Sequence, residues 1–145
     1  LRLKRAGGKI LLVPEIVSYY YARSNLKDLF KQNFCNGLWV IYGLRFTKMP
    51  FSKRHLIPFL FVISLAGSLI LSLVYYPFIY LFAFIIGLYL IVNIFFSVNL
   101  SLEKGFKYFP FLIASFFTLH FSYGLGSLWG FIKLSLSKLK ENKNG

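Results

Sequence analysis

Arg23 to Pro58, RSNLKDLFKQNFCNGLWVIYGLRFTKMPFSKRHLIP, is the joint of the chain. The residues before it read as the end of a water-soluble domain, and those after it read as membrane. From Leu26 the apolar residues Leu29, Phe30, Phe34, Ile41 and Leu44 fall within roughly a third of a helix circumference at 100° per residue. Lys27, Lys31 and Arg45 lie along one border of that stripe, and Gln32 and Asn36 along the other. Beyond Gly37 the helix turns apolar nearly all round (Leu38, Trp39, Val40, Ile41, Tyr42), which predicts an amphipathic helix in the headgroup region anchored by Trp and Tyr. Arg45, Lys48, Lys53 and Arg54 come next and lead straight into a long apolar run. A surface helix of a soluble domain is the plainer reading of the same pattern; the basic cluster touching a spanning segment favours the interfacial one.

Working outward, Asn25 is a fitting N-cap for this helix, with Asp28 in the place of a capping-box acid. On the upstream side, Leu1 to Ala6 followed by Gly7 and Gly8 reads as a last helical turn with a glycine stop. Lys9 to Val13 reads as a short strand broken by Pro14, and Ile16 to Tyr21 (IVSYYY) as a second strand or extended segment. Such a remnant is too short to hold a core and must pack on something else. The chain begins with Leu1 and is expected to be a piece of a longer protein.

On the downstream side, Leu56 to Tyr76 is the first candidate span, since about 20 residues cover the ~30 Å hydrocarbon core. Its dozen strongly apolar residues sum to about −5 kcal/mol of insertion free energy before the serines and Gly67 subtract from it. Pro77 turns the chain, and Phe78 to Val98 runs back as a second span with Asn93 its only strongly polar side chain. A loop from Asn99 to Tyr108 carries Glu103, Lys104 and Lys107. Pro110 opens a third apolar stretch ending near Phe131, and the tail carries Lys133, Lys138, Lys140, Glu141 and Lys143. Three full spans would put the lysine tail on the side opposite Arg45–Arg54, against the positive-inside tendency. Two spans and a re-entrant or interfacial third segment would keep both on one side, and both arrangements stay open. The expected fold is therefore mainly α and membrane-bound: a short α/β remnant over residues 1–23, an interfacial helix and basic linker over 24–55, a bundle of two or three transmembrane helices over 56–132 (about 56–76, 78–98 and 110–131), and a basic tail over 133–145.

Composition agrees. The 145 residues carry a formal net charge of +13, yet 57% are hydrophobic and 21% aromatic. The positive charge sits at the ends of apolar runs instead of in a solvated patch, which speaks for an anionic leaflet and against nucleic acid as partner. Cys35 is alone, so neither a disulfide framework nor metal-ligand spacing exists. Four acids, Glu15, Asp28, Glu103 and Glu141, form no catalytic or metal-binding pair. His120 and Asn93 are polar groups at membrane depth, open to function but more simply explained by interhelical hydrogen bonds. Small residues recur four apart at Ser64, Ser68 and Ser72, at Ala83 and Gly87, and at Ser122, Gly126 and Gly130, a pattern that lets helix backbones approach. Gly124, Gly126 and Gly130 miss the dinucleotide spacing and have no strand before them, so helix packing explains them better.

Three passages, LRLKRAGGKILLVPEIVSYYYARSNLKDLFKQNFCNG, FSKRHLIPFLFVISL and HFSYGLGSLWGF, together resemble the C-terminal part of a membrane-anchored family 2 glycosyltransferase of the GT-A fold. Arg2, Arg5, Gly7, Pro14, Arg23, Leu26, Gln32 and Gly37 fall where that pattern has them. The resemblance implies a parent enzyme moving a sugar from a nucleotide-sugar donor to a lipid-linked or polysaccharide acceptor, with its catalytic N-terminal domain missing here. That domain would hold the Asp-x-Asp motif, a divalent Mg or Mn ion and the acidic base. The resemblance therefore implies no catalytic residue and no metal in this chain, and membrane lipids as further partners. The related processive synthases carry Gln-x-x-Arg-Trp; here Gln32 is kept and the Arg-Trp pair is absent, which speaks against polymerising activity. Arg23, Gln32 and Asn36 are the candidate donor- or acceptor-binding residues, with a cap, a helix surface and packing as their structural alternatives. The expected location is the plasma membrane, with the basic N-terminal part cytoplasmic. The rival expectation is a stand-alone small membrane scaffold or flippase-like subunit without catalysis.

Overall fold

A computed structural model of the chain describes residues 6–9, 11, 13, 15–45 and 53–143. The expected helical turn up to Arg5, the expected strand residues Ile10 and Leu12, the break at Pro14 and the basic residue Lys48 lie outside that description. Among the described residues there are four α-helices: α1 Leu26–Tyr42, α2 Leu56–Val74, α3 Phe78–Lys104 and α4 Phe109–Lys143. Short 3-10 turns flank them at Gly43–Arg45, Lys53–His55 and Phe106–Tyr108.

Each boundary has a local cause. Asn25 caps α1 by accepting a hydrogen bond from the Asp28 N–H at 2.8 Å, and its amide donates to the Asp28 carboxylate at 2.8 Å. This is the cap expected from the sequence, closed side chain to side chain. Gly7 has φ +78°, where a side chain is disfavoured, while the helical turn it was expected to stop lies outside the described residues. α2 ends at Val74, two residues short of the expected span end, because Tyr75 turns extended with φ −136°. Pro77 then starts α3 with the φ that suits a first turn.

Two ends differ from expectation. The expected loop from Asn99 is helical through Lys104, and the stop is Gly105 with φ +115°. Asn99 and Ser101 do not break the helix because the Ser101 hydroxyl bonds back to the Ser97 carbonyl, while Glu103 and Lys104 favour helix. Likewise α4 runs past Phe131 to Lys143, since Leu, Lys and Glu continue the chain with neither Gly nor Pro to stop it. Pro110 sits in its first turn, where its missing N–H costs nothing.

The two expected strands of the α/β remnant find no counterpart among the described residues, none of which is in a strand. Ile16–Tyr21 has no regular structure, and Tyr19, Tyr20 and Tyr21 are almost fully exposed. A strand needs a ladder partner, and no described residue stands beside this segment to supply one.

Three helices, α2, α3 and α4, are long and apolar enough to cross a membrane. Their burial is inverted relative to a soluble protein. The fully buried side chains are Ser97, Ser101, Ser122 and Ser127, while Leu73, Val74, Ile91 and Phe95 face outward. Lipid tails are as apolar as leucine, so a bundle in lipid gains little by hiding aliphatic groups and packs through small residues instead. These are features of a membrane protein. α4 is one unbroken helix, so the third apolar segment does not reverse direction within itself.

The broadest contact joins α1 to the second half of α4. A β-carbon on Gly126 would strike the Phe34 carbonyl oxygen, and one on Gly130 would lie 2.6 Å from the Leu38 oxygen. Positions 34 and 38 thus pair in order with 126 and 130, and the two helices run parallel. Gly37 closes the same seam against the Tyr123 carbonyl and the Ser127 backbone, where the Ser127 hydroxyl donates to the Gly37 carbonyl at 3.4 Å. On another side of α4, Gly124 meets Pro58 and Val62 of α2. The expected apolar stripe of α1 is therefore partly spent on α4: Ile41 is buried and Phe34 half-buried, whereas Trp39 stays exposed.

Candidate functional site

The residues singled out from the sequence lie where the irregular segment over residues 15–25 meets α1. The Arg23 guanidinium Nε donates to Gln32 Oε1 at 3.2 Å, and Gln32 Nε2 donates to the Tyr20 hydroxyl at 3.3 Å. One side chain on the second turn of α1 thereby holds both the cation and the ring of the incoming chain. Asn36 lies one turn beyond Gln32 on the same face, exposed, and makes none of the described hydrogen bonds. The structure brings Arg23 and Gln32 together and leaves Asn36 alongside. Lys27 and Lys31 are exposed nearby in sequence, and the Asp28 carboxylate is engaged by Asn25.

An exposed guanidinium beside a primary amide and a phenol can bind: it offers donors to an anion and both donors and acceptors to hydroxyl groups. Among the described residues no three His, Cys, Asp or Glu side chains gather to hold a metal ion. Cys35 is free and exposed.

Deeper in the bundle the structure reveals polar contacts that periodicity did not pair. His55 Nδ1 lies 2.7 Å from the Tyr123 hydroxyl, tying the start of α2 to α4. The two rings are nearly parallel, with centroids 6.1 Å apart. Asn93 Nδ2 donates to the Ile113 carbonyl at 3.2 Å, an interhelical bond between α3 and α4, and Asn93 Oδ1 accepts from Ser97 at 3.2 Å. His120 Nδ1 bonds within its own helix to the Phe116 carbonyl at 2.8 Å. The interhelical explanation thus holds for Asn93, and for His120 through a long 3.5 Å contact with the Tyr89 hydroxyl of α3, its shorter bond lying within α4.

Tyr89 connects α2, α3 and α4. Its ring stacks on Phe61 of α2 with centroids 4.5 Å apart and meets Phe117 and His120 of α4 edge-on at 6.2 and 5.8 Å. Beside it a groove of about 450 Å³ opens between α2, α3 and α4, lined by apolar side chains except for Tyr89, Asn93 and His120. The sequence signals were present, since Tyr89 and Asn93 are one turn apart on an apolar helix. Nothing in the sequence pairs them with position 120.

The chain matches no protein-family model, no curated protein and no solved structure.

Proposed function

We propose that the chain is the membrane-anchoring, acceptor-side part of a glycosyltransferase that moves a sugar from a nucleotide-sugar donor to a lipid-linked or polysaccharide acceptor at the cytoplasmic face of the plasma membrane. The observation that carries this reading is the contrast on the two sides of Arg23. Ile16, Val17 and the three tyrosines are 70–87% exposed, an apolar and aromatic run with no cover of its own. At Leu26, just beyond Arg23, begins a capped helix seated on α4 by backbone-to-backbone contact. Such a run is stable in water when another domain covers it, and its mount fixes that domain's distance from the membrane. The family resemblance names the domain: a GT-A transferase carrying the metal, diphosphate and base.

On this reading anchoring confines the search for acceptor to two dimensions, and Arg23, Gln32 and Asn36 face the cleft between domain and membrane. Arg23 contributes a fixed positive charge toward a phosphate, and the amides contribute hydrogen bonds to sugar hydroxyls. The base and the metal ion would belong to the covering domain.

The test is genetic first and biochemical second. The coding DNA upstream of Leu1 is expected to continue in frame for roughly two hundred codons, a domain's length, and to carry an Asp-x-Asp motif. Membranes containing that longer protein are expected to transfer label from a nucleotide sugar to lipid or glycan, and the Arg23→Ala variant to do so more slowly. A start codon directly upstream, or a longer protein whose second domain is no transferase, would overturn the reading and leave a scaffold without catalysis.

A further inference from the structure

Length and hydropathy allow α4 to cross a bilayer, yet its neighbours hold its middle at a membrane surface. His55 follows Lys53 and Arg54 and directly precedes α2, so it marks the level at which the chain enters hydrocarbon. Tyr123 lies 2.7 Å from His55, and Gly124 faces Pro58 in the first turn of α2. Both sit near the centre of the apolar stretch Phe106–Ser137. In a helix crossing upright they would lie deep in the core, far from the level of His55.

The hairpin of α2 and α3 points the same way. Pro58 and Asn93 stand at nearly one height on it, 19 and 16 residues from the turn at Pro77 (77 − 58, 93 − 77). Their partners on α4, Gly124 and Ile113, are 11 residues apart (124 − 113), about 16 Å along the helix. A helix running alongside the hairpin would meet both at one of its own turns. α4 instead passes obliquely across the hairpin near its open end.

α1 supplies the charges. Phe34 with Gly126 and Leu38 with Gly130 set an offset of 92 between the paired helices (126 − 34, 130 − 38). Lys27, Asp28 and Lys31, all exposed, are therefore level with Leu119, His120 and Tyr123. At the centre of a bilayer each such charge would weigh about a hundredfold against insertion. The chain's two tryptophans fall toward the other end of the pair, both exposed. Trp39 meets Tyr42 edge-on at 5.9 Å, and the Lys133 ammonium stands over the Trp129 ring at 6.0 Å. Tryptophan and tyrosine beside basic groups suit the headgroup level.

We propose that α1 and the half of α4 docked on it lie together in the plane of the headgroup layer of an anionic leaflet, on the side of Arg54, and that α2 and α3 alone cross the bilayer. The partner is the phospholipid surface itself. Lys27, Lys31 and Lys133 meet its phosphates, while Trp39 and Trp129 anchor just beneath them. Arg54 and the lysine-rich tail then share one side, as the positive-inside tendency asks. This placement requires nothing of the transferase reading, and neither fails with the other.

The experiment places single cysteines in the full chain carrying Cys35→Ser and labels them with a membrane-impermeant maleimide. Inside-out and right-side-out vesicles from expressing cells give the two sides. Leu139→Cys is expected to react from the same side as Arg54→Cys, and Tyr76→Cys, at the hairpin turn, from the opposite side. The unmodified chain is then compared in nanodiscs of phosphatidylcholine and of phosphatidylglycerol. Amide exchange of α1 is expected to be at least about fivefold slower on phosphatidylglycerol, the effect of one basic residue at an anionic surface. Lys27→Gln combined with Lys31→Gln is expected to shrink that difference. Reaction of Leu139→Cys from the Tyr76 side would overturn the in-plane placement, and equal exchange in the two lipids would overturn the anionic partner.

Discussion

Gly126 and Phe34 touch backbone to backbone: a β-carbon at position 126 would overlap the Phe34 carbonyl oxygen. A main-chain oxygen cannot rotate aside as a side chain does, so the contact admits only glycine. Gly126→Leu is therefore expected to separate α1 from α4 and to cost about 3 kcal/mol or more, at the upper end of overpacking penalties. Thermal unfolding in detergent measures the loss. The matched control is Gly87→Ala, because nothing lies within 4 Å of a β-carbon there. It is expected to leave stability unchanged or to raise it by about 0.5–1 kcal/mol through helix propensity.

Asn93→Leu removes the α3–α4 bond to the Ile113 carbonyl and the acceptor used by Ser97. Ser97 can turn back to its own helix, so the expected cost is small, about 0.6–1.7 kcal/mol, the range for interhelical hydrogen bonds in lipid. Denaturation in mixed micelles reads it. A loss above about 3 kcal/mol, well beyond that range, would mean that Asn93 holds more of the bundle than this one bond.

The His55–Tyr123 contact suits a double-mutant cycle. Tyr123→Phe keeps the ring contact and deletes the hydroxyl, His55→Ala deletes both, and the coupling is expected at about 0.5–1.5 kcal/mol. Additive single effects would show that the contact, 2.7 Å long, contributes nothing to stability.

At the start of α1, Asn25→Ala is expected to cost about 1 kcal/mol by orphaning the Asp28 N–H. Asn25→Ser, which can accept the same bond, is expected to recover most of it. Hydrogen exchange of the first turn of α1 distinguishes a local fray from global loss.

How far the sequence reached is clearest from its small-residue stripes. Ser122, Gly126 and Gly130 do form a packing seam, but Gly87, in a stripe of the same spacing with Ala83, meets no neighbour. Spacing defines a face of a helix and says nothing about what stands opposite. The partner, Gly37, is a lone glycine in α1 and carries no periodic signal. Hydropathy placed α2, α3 and α4, yet the ends of α3 and α4 lay farther on, because Asn99 and the lysines near residue 138 are loop-like in composition and helical in context. IVSYYY reads as strand by propensity and is irregular for lack of a ladder partner. The Arg23–Gln32 pairing joined two residues chosen separately, and the His55–Tyr123 bond, across 68 residues, had no signal in the sequence at all.

The parallel seam between α1 and α4 also orders the making of the molecule. Ser127 and Gly37 meet across 90 residues of chain. α1 leaves the ribosome before α2, α3 and α4, but its docking surface does not exist until α2 and α3 have been synthesised and the glycines of α4 after them. At about 5–20 residues per second, that is a wait of roughly 5–20 seconds. Through that interval α1 has no α4 to dock on, and its Phe34, Leu38 and Ile41 must be sheltered by lipid, a chaperone or another part of the protein.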